Sequence, residues 1–248
     1  MKISGVVIAK NEEEMIVDCL DSLKFCDEVL VIDNGSTDKT ADIAKKAGAR
    51  VIIYTTDDFS KLRNKGLESS NYDWIVYIDT DERVTRELEK EIIEKIKNSG
   101  KYNAFRVRRK NFYFGKNEWP EIEKLERVFK KESLSGWKGK LHESPTVEGE
   151  IGDLNNFLIH YSHRDLTQML NKTIEWSEIE AETRLRASHP KMSWWRFPRV
   201  MMSAFFDSYI NKKGYKAGTA GIVESIYQAF SMFITYAKLW EKQIKQEK

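Results

Sequence analysis

Trp74-Ile75-Val76-Tyr77-Ile78 runs straight into Asp79-Thr80-Asp81-Glu82. Five large apolar residues with no polar interruption describe a strand covered on both faces, as in a parallel sheet. The carboxylates mark where that strand leaves the core. Toward the N-terminus, residues 3–9, 28–32 and 51–54 have the same character. Between these runs lie helical patterns at residues 13–23, 39–47 and 60–69, the first with Met15, Ile16, Cys19, Leu20 and Leu23 on one face. Alternation of strand and helix with short connections predicts a right-handed, doubly wound α/β layer. A further amphipathic helix is expected over residues 86–96.

Past Lys101 the pattern changes. Short strands are expected at residues 104–109 and 125–130, separated by Phe112-Tyr113-Phe114-Gly115 and Trp119-Pro120. A charged helix follows at residues 165–187, then breaks at Pro190 and Pro198 and two helices at residues 199–212 and 219–243. The expected division is an α/β domain over residues 1–164, with a change of pattern after residue 100, and a helical extension over residues 165–248.

The 248 residues allow one large domain with an appendage, and 41 Lys+Arg against 39 Asp+Glu argue against a nucleic-acid binder held by bulk charge. The charge is uneven. The last 58 residues carry 10 basic and 4 acidic side chains and 12 of the 29 aromatic residues. Two cysteines spaced C-x6-C match no usual zinc or redox pattern and exclude a disulfide-stapled secreted fold. The N-terminal apolar run is too short for a signal peptide, and no uncharged stretch reaches the roughly 18 residues of a membrane span. A cytoplasmic chain is expected.

Alternate residues of an extended segment share a face, so Asp79 and Asp81 are expected to converge on one ligand or cation at the carboxyl edge of the sheet. Hard carboxylate oxygens suit Mg²⁺ or Mn²⁺. A second acidic group, Asp33-Asn34-Gly35-Ser36-Thr37-Asp38, follows the second run. Its serine, threonine and last aspartate suit helix capping, but Asp33 is left over as a candidate for a nucleobase or ribose. Lys10-Asn11-Glu12 supplies a third set, with Asn11 also placed to cap the first helix. Neither a phosphate-binding loop nor a G-x-G-x-x-G is present.

These pieces, with Leu62-Arg63-Asn64-Lys65-Gly66, resemble in order and spacing a family 2 glycosyltransferase with the GT-A fold. The resemblance covers residues 1–100 and implies that these are the nucleotide-sugar-binding half of a catalytic domain over residues 1–164, with residues 101–164 as its acceptor-side half. It implies that Asn11, Glu12 and Asp33 meet the nucleotide's base or ribose, that Arg63 and Asn64 lie against it, and that Asp79 and Asp81 form the family's D-x-D, with Asp81 as chief metal ligand. The second half resembles the lipopolysaccharide core β-glucosyltransferase-like members through Trp137-Lys138-Gly139-Lys140-Leu141-His142-Glu143, Ile159-His160-Tyr161-Ser162-His163 and Tyr236-Ala237-Lys238-Leu239-Trp240-Glu241. It departs from many members in having a lone Glu143 where they carry a Glu-Asp pair.

An inverting transfer needs a carboxylate to take the acceptor hydroxyl's proton, which makes Glu143 the candidate base. Glu118, Glu121 and Glu123 compete with it. His142 either binds metal, orients Glu143 or packs. The implied partners are a nucleotide-sugar donor, with a UDP-sugar favoured, and a saccharide or lipid-linked acceptor in lipopolysaccharide or other cell-envelope synthesis. A homo-oligomer is left open.

The last helical pattern carries Ile222, Ile226, Phe230, Phe233, Ala237 and Trp240 on one face. With Lys238, Lys242, Lys245, Lys212-Lys213 and Trp194-Trp195-Arg196-Phe197, it is expected to attach the chain peripherally to the inner face of the cytoplasmic membrane. Packing against protein is the alternative. Two rivals remain from the residues alone: a haloacid-dehalogenase-like phosphatase, whose nucleophilic D-x-D also ends a strand, and a non-catalytic membrane-surface sugar-binding protein.

Overall fold

A computed structural model describes residues 1–140 and 143–246 of the chain. By compactness these form two units, one of residues 1–110 and 123–160, the other of residues 111–122 and 161–248.

The first unit is built on an eight-stranded mixed sheet. In chain order its strands are β1 (Ile3–Ala9), β2 (Glu28–Asp33), β3 (Arg50–Ile53), β4 (Trp74–Asp79), β5 (Glu82–Val84), β6 (Tyr102–Tyr113), β7 (Asn117–Lys130) and β10 (Glu150–Tyr161), and their order across the sheet is β3-β2-β1-β4-β7-β6-β10-β5. A separate antiparallel ribbon joins β8 (Leu134–Lys138) to β9 (Ser144–Val147). The α/β sheet with a C-terminal helical extension expected from the sequence is what the chain forms.

Strands β1, β2, β3 and β4 pair in parallel, and every residue of β1 is buried, as a continuous apolar run requires. Strand β3 differs: it is the sheet's edge, and none of its four residues is fully buried. Four helices accompany these strands: α1 (Ile16–Asp21), α2 (Thr40–Lys46), α3 (Phe59–Ser69) and α4 (Arg86–Lys97). Helix α3 starts where Asp58 accepts from the Ser60 and Lys61 amides, and α4 where Thr85 accepts from the Leu88 amide. Gly66 lets α3 lie close on β1, since a Cβ there would meet Val6 Cγ1 at 2.5 Å.

Three expectations are corrected. Helix α1 is shorter than residues 13–23: it spans Ile16–Asp21, preceded by a turn in which the Met15 and Ile16 amides donate to the Glu12 carbonyl while those of Glu12 and Glu13 donate to Thr40 Oγ1 and Asp38 Oδ2. Strands β6 and β7 run far beyond 104–109 and 125–130, so Phe112-Tyr113 and Trp119-Pro120 lie inside strands. Pro120 is tolerated because the pairing of β7 with β4 is confined to Val128, Phe129 and Lys130. Pro198 does not break the chain: it occupies the first turn of α6 (Arg196–Phe206), where a missing N–H costs nothing.

The second unit contains α5 (Leu166–Arg186), α6 and α7 (Gly218–Gln246), with a π-helical turn at Asp207–Asn211. Helix α5 buries Met169, Thr173, Ser177 and Ala181; α7 buries Gly221, Glu224, Ser225, Ala229, Thr235, Tyr236 and Leu239. Small residues on both faces let the helices approach, and Thr173 Oγ1 lies 2.7 Å from the Tyr227 hydroxyl, which donates to the Met169 carbonyl. The packed face of α7 therefore combines small and polar residues with Tyr236 and Leu239, which join Ala181 and Met192 in an apolar cluster. The apolar stripe points outward, leaving Ile226, Phe230, Phe233 and Trp240 exposed. No described helix is long and apolar enough to cross a membrane.

Candidate active site

Parallel pairing sets Ala9 beside Asp33 and Ile8 beside Asp79, so the exits of β1, β2 and β4 share one edge of the sheet. The first two exits are stitched together. Asn11, at φ 54°, donates its amide to Ser36 Oγ and accepts from the Thr37 amide at 2.7 Å. Its side chain thus ties the two loops and does not cap α1. Asp38 is likewise scaffold: burial raises its carboxyl, but bonds from Thr40 and the Glu13 amide hold it below the usual carboxylate range.

Asp33 is different. It is 1% exposed, its Oδ1 accepts from the Ser36 amide at 2.8 Å, and its Oδ2 is buried with no hydrogen-bond partner among the described residues. A buried carboxylate oxygen left unpaired is costly, and a ligand donor would relieve that cost. Glu12, at the end of β1, is partly buried at the same edge.

At the third exit the chain turns. Strand β4 ends at Asp79 and Thr80-Asp81 form a turn before β5, so the two aspartates do not continue one extended face. Their carboxylates go to different partners. Asp79 Oδ1 accepts from Arg63 Nη2 at 3.1 Å and its Oδ2 from Arg127 Nη2 at 2.8 Å. Burial raises the Asp79 carboxyl, but Arg63, Arg127 and Arg109 together hold it well below the ordinary range. Asp81 Oδ2 instead lies 3.4 Å from His160 Nε2, because β5 pairs with β10 in the register that sets His160 opposite Glu82.

Asp79 belongs to a chain of buried charges. Arg127 also donates to Glu82 Oε1 at 3.0 Å, Arg109 joins Glu82 to Glu123, and Arg63 Nε donates to Glu143 Oε1 at 2.6 Å. Glu143 is thereby brought to the Asp79 exit, 80 positions from Arg63 in sequence. Two donors, Arg63 Nη1 and Arg127 Nε, are buried without a partner among the described residues. Asn64 is used elsewhere: its amide both accepts from and donates to the Trp137 backbone, at 2.8 and 3.0 Å. Of the competitors of Glu143, Glu123 is held by Arg109.

His142 lies outside the described residues. Among those described, no three His, Cys, Asp or Glu side chains converge as a preformed metal cage. Arg109 and Arg127 were not singled out by the sequence, since strand arginines facing a buried Glu82 carry no motif. Facing a carboxylate across the sheet is a property of register, which local spacing does not encode.

Comparison with known proteins gives the family. Residues 4–147 match the model for glycosyl transferase family 2. An uncharacterised glycosyltransferase of Rickettsia prowazekii is 30% identical over 99% of this chain and 89% of its own length. The lipopolysaccharide core biosynthesis glycosyltransferase LpsC of Rhizobium meliloti is 24% identical over 98% of this chain and 93% of its own. Among solved structures, glucosyl-3-phosphoglycerate synthase from Mycobacterium tuberculosis, crystallised with Mn²⁺, UDP and glucosyl-3-phosphoglycerate, matches 54% of this chain and 58% of its own at 22% identity and a TM-score of 0.41.

Proposed function

The chain belongs to glycosyl transferase family 2, and on that premise we propose that it transfers a sugar, with inversion, from a nucleotide-sugar to a saccharide or lipid-linked saccharide. A UDP-sugar is the favoured donor. Lipopolysaccharide or other cell-envelope glycan synthesis is the favoured setting, in keeping with the likeness to LpsC. The observation that carries the reading is the unpartnered, buried Asp33 Oδ2 at the sheet edge that also holds Asp79, Asp81 and Glu143.

In this reading Asp33 accepts from the donor's base or ribose, and Glu12 borders the same part of the ligand. Arg63 and Arg127 offer their unused N–H groups toward negative charge while fixing Asp79. A divalent cation, Mn²⁺ or Mg²⁺, fits Asp81 and His160, one carboxylate and one imidazole, with substrate oxygens and water completing the shell. Asp79 fits poorly as a ligand because both its oxygens are given to guanidinium groups. When bound, the cation supplies charge that offsets what develops on the departing diphosphate. Glu143, oriented by Arg63, takes the proton of the acceptor hydroxyl, and a single displacement leaves no covalent enzyme intermediate.

The exposed apolar stripe of α7 supports peripheral contact of the C-terminal helices with an anionic membrane. Of the basic groups expected to serve it, the three lysines near the end of α7 have partners within the protein. Lys242 pairs with Glu178 at 2.6 Å and with Glu182, Lys238 donates to the Ile174 carbonyl, and Lys245 pairs with Glu241.

Thermal denaturation with nucleoside diphosphates, with and without Mn²⁺, tests the donor site. A diphosphate present at about 100 times its Kd raises stability by about 2.7 kcal/mol. Stabilisation by UDP that Asp33→Asn abolishes is the expected result; indifference of the parent to every nucleoside diphosphate would contradict the proposal.

A further inference from the structure

The second unit contains a cavity of about 320 Å³ that no step of the transfer uses. Arg196, Arg199 and Ser203 line it from α6, at spacings of three and four residues that put them on one helical face. His189, whose ring Nδ1 lies 2.9 Å from the Pro190 carbonyl, and Tyr236 of α7 line it from the other sides. No Asp or Glu lines it among the described residues, and neither Arg196 nor Arg199 has an ion-pair partner there. Two guanidinium groups lining one hollow that holds no carboxylate present a fork of N–H donors suited to a phosphate-type anion from outside.

The rim says where that anion comes from. Trp194 is 82% exposed, Trp195 is exposed with the Arg196 guanidinium 5.2 Å from its ring, and Met202 and Phe206 continue the exposed apolar surface along α6. Exposed tryptophans beside arginines suit the headgroup level of a bilayer. The volume lies at the small end of ligand pockets, the scale of a headgroup and not of a whole lipid.

We propose that this cavity binds the phosphate of an anionic lipid headgroup, with Arg196 and Arg199 as its principal ligands and Trp194 and Trp195 seated beside it in the interface. The proposal rests on the membrane contact inferred above and deepens it: attachment is directed by one phosphate site, not by diffuse positive charge.

Vesicle flotation of the full chain tests it, using phosphatidylcholine alone and phosphatidylcholine containing phosphatidic acid. The parent is expected to float with the second and to be released by inorganic phosphate more readily than by chloride at equal ionic strength. Arg196→Gln with Arg199→Gln is expected to weaken binding about 30-fold, the effect of two headgroup-adjacent cations, and to abolish the difference between phosphate and chloride. Lys213→Gln with Lys216→Gln, outside the cavity, is expected to weaken binding much less than the arginine variant does and to keep that difference. Circular dichroism checks that the variants are folded.

If the arginine variant keeps phosphate-sensitive binding, the cavity is the wrong site while membrane contact stands. If the parent ignores the vesicles but binds inorganic phosphate by calorimetry, the lipid is the wrong source. If it binds neither, the cavity proposal and the membrane reading both fall.

Discussion

Replacing Arg127 by methionine keeps an unbranched side chain and removes the cation between Asp79 and Glu82. The parent side chain is only 7% exposed, and Glu82 is fully buried. Each carboxylate loses one charged hydrogen bond but keeps another cation, Arg63 for Asp79 and Arg109 for Glu82. At about 1.5–3 kcal/mol for each bond to a charged group, the loss is about 3–6 kcal/mol, in line with about 3–5 kcal/mol for breaking a buried pair. For a domain of about 150–250 residues that lowers the Tm by about 6–24 °C.

Arg106→Met is the control. Its pairs with Glu126 and Asp153 are much more exposed, so it is expected to cost about 0–1 kcal/mol. Scanning calorimetry of both variants against the parent gives the comparison. An Arg127→Met protein that melts with the parent, or no lower than Arg106→Met, would refute the claim that the network holds the sheet edge together.

Gly66→Ala pushes a Cβ to 2.5 Å from Val6 Cγ1 and is expected to lower stability by about 1–3 kcal/mol in urea melts. Asp81→Asn is expected to weaken Mn²⁺-dependent UDP binding in calorimetric titrations while leaving the melting temperature near the parent's; unchanged metal dependence would remove Asp81 from the site. Glu91 accepts the amides of Asn155 and Asn156, each at 2.8 Å; burial raises its carboxyl, but those bonds hold it below its ordinary value. Its stabilising contribution is therefore present above the unfolded pKa of about 4.3 and lost as pH falls through the lower folded value, so Glu91→Gln is expected to flatten the acid limb of a stability-pH curve.

The first half of the fold was legible because its strands are buried on both faces and its helices carry clear periodicity. Strand β1 spans the residues expected of it, and β2 and β4 each run one residue further. The second half was harder to read for two physical reasons. Strands β6 and β7 hold many charged residues that pair across the sheet, as Arg106 does with Glu126, so their sequence lacks the apolar run that marks a strand. In α7 the stripe of Ile226, Phe230, Phe233 and Trp240 is exposed, and the packed face mixes Gly221, Ser225, Ala229 and Thr235 with Tyr236 and Leu239, so hydrophobic periodicity alone does not mark which face packs.

At the candidate site, motif and position singled out Asp33, Arg63 and Glu143, and the structure puts Asp33 at the same sheet edge as Asp79, to which Arg63 is bonded together with Glu143. The partners that orient them come from residues tens of positions away. His160 reaches Asp81 only through the β5–β10 pairing, which nothing in the local sequence announces.

The central claim is sugar transfer from a nucleotide-sugar with Glu143 as the base. It is tested most directly by following nucleoside diphosphate release from UDP-sugars in the presence of Mn²⁺ and saccharide acceptors, for the parent and for Glu143→Gln. The account predicts acceptor-dependent release by the parent, a fall of about 10²-fold or more in the variant, and donor affinity nearly unchanged between them. A Gln variant that works at the parent rate would remove Glu143 from the chemistry. Release of inorganic phosphate from phosphomonoesters, with no turnover of any nucleotide-sugar, would contradict the account as a whole.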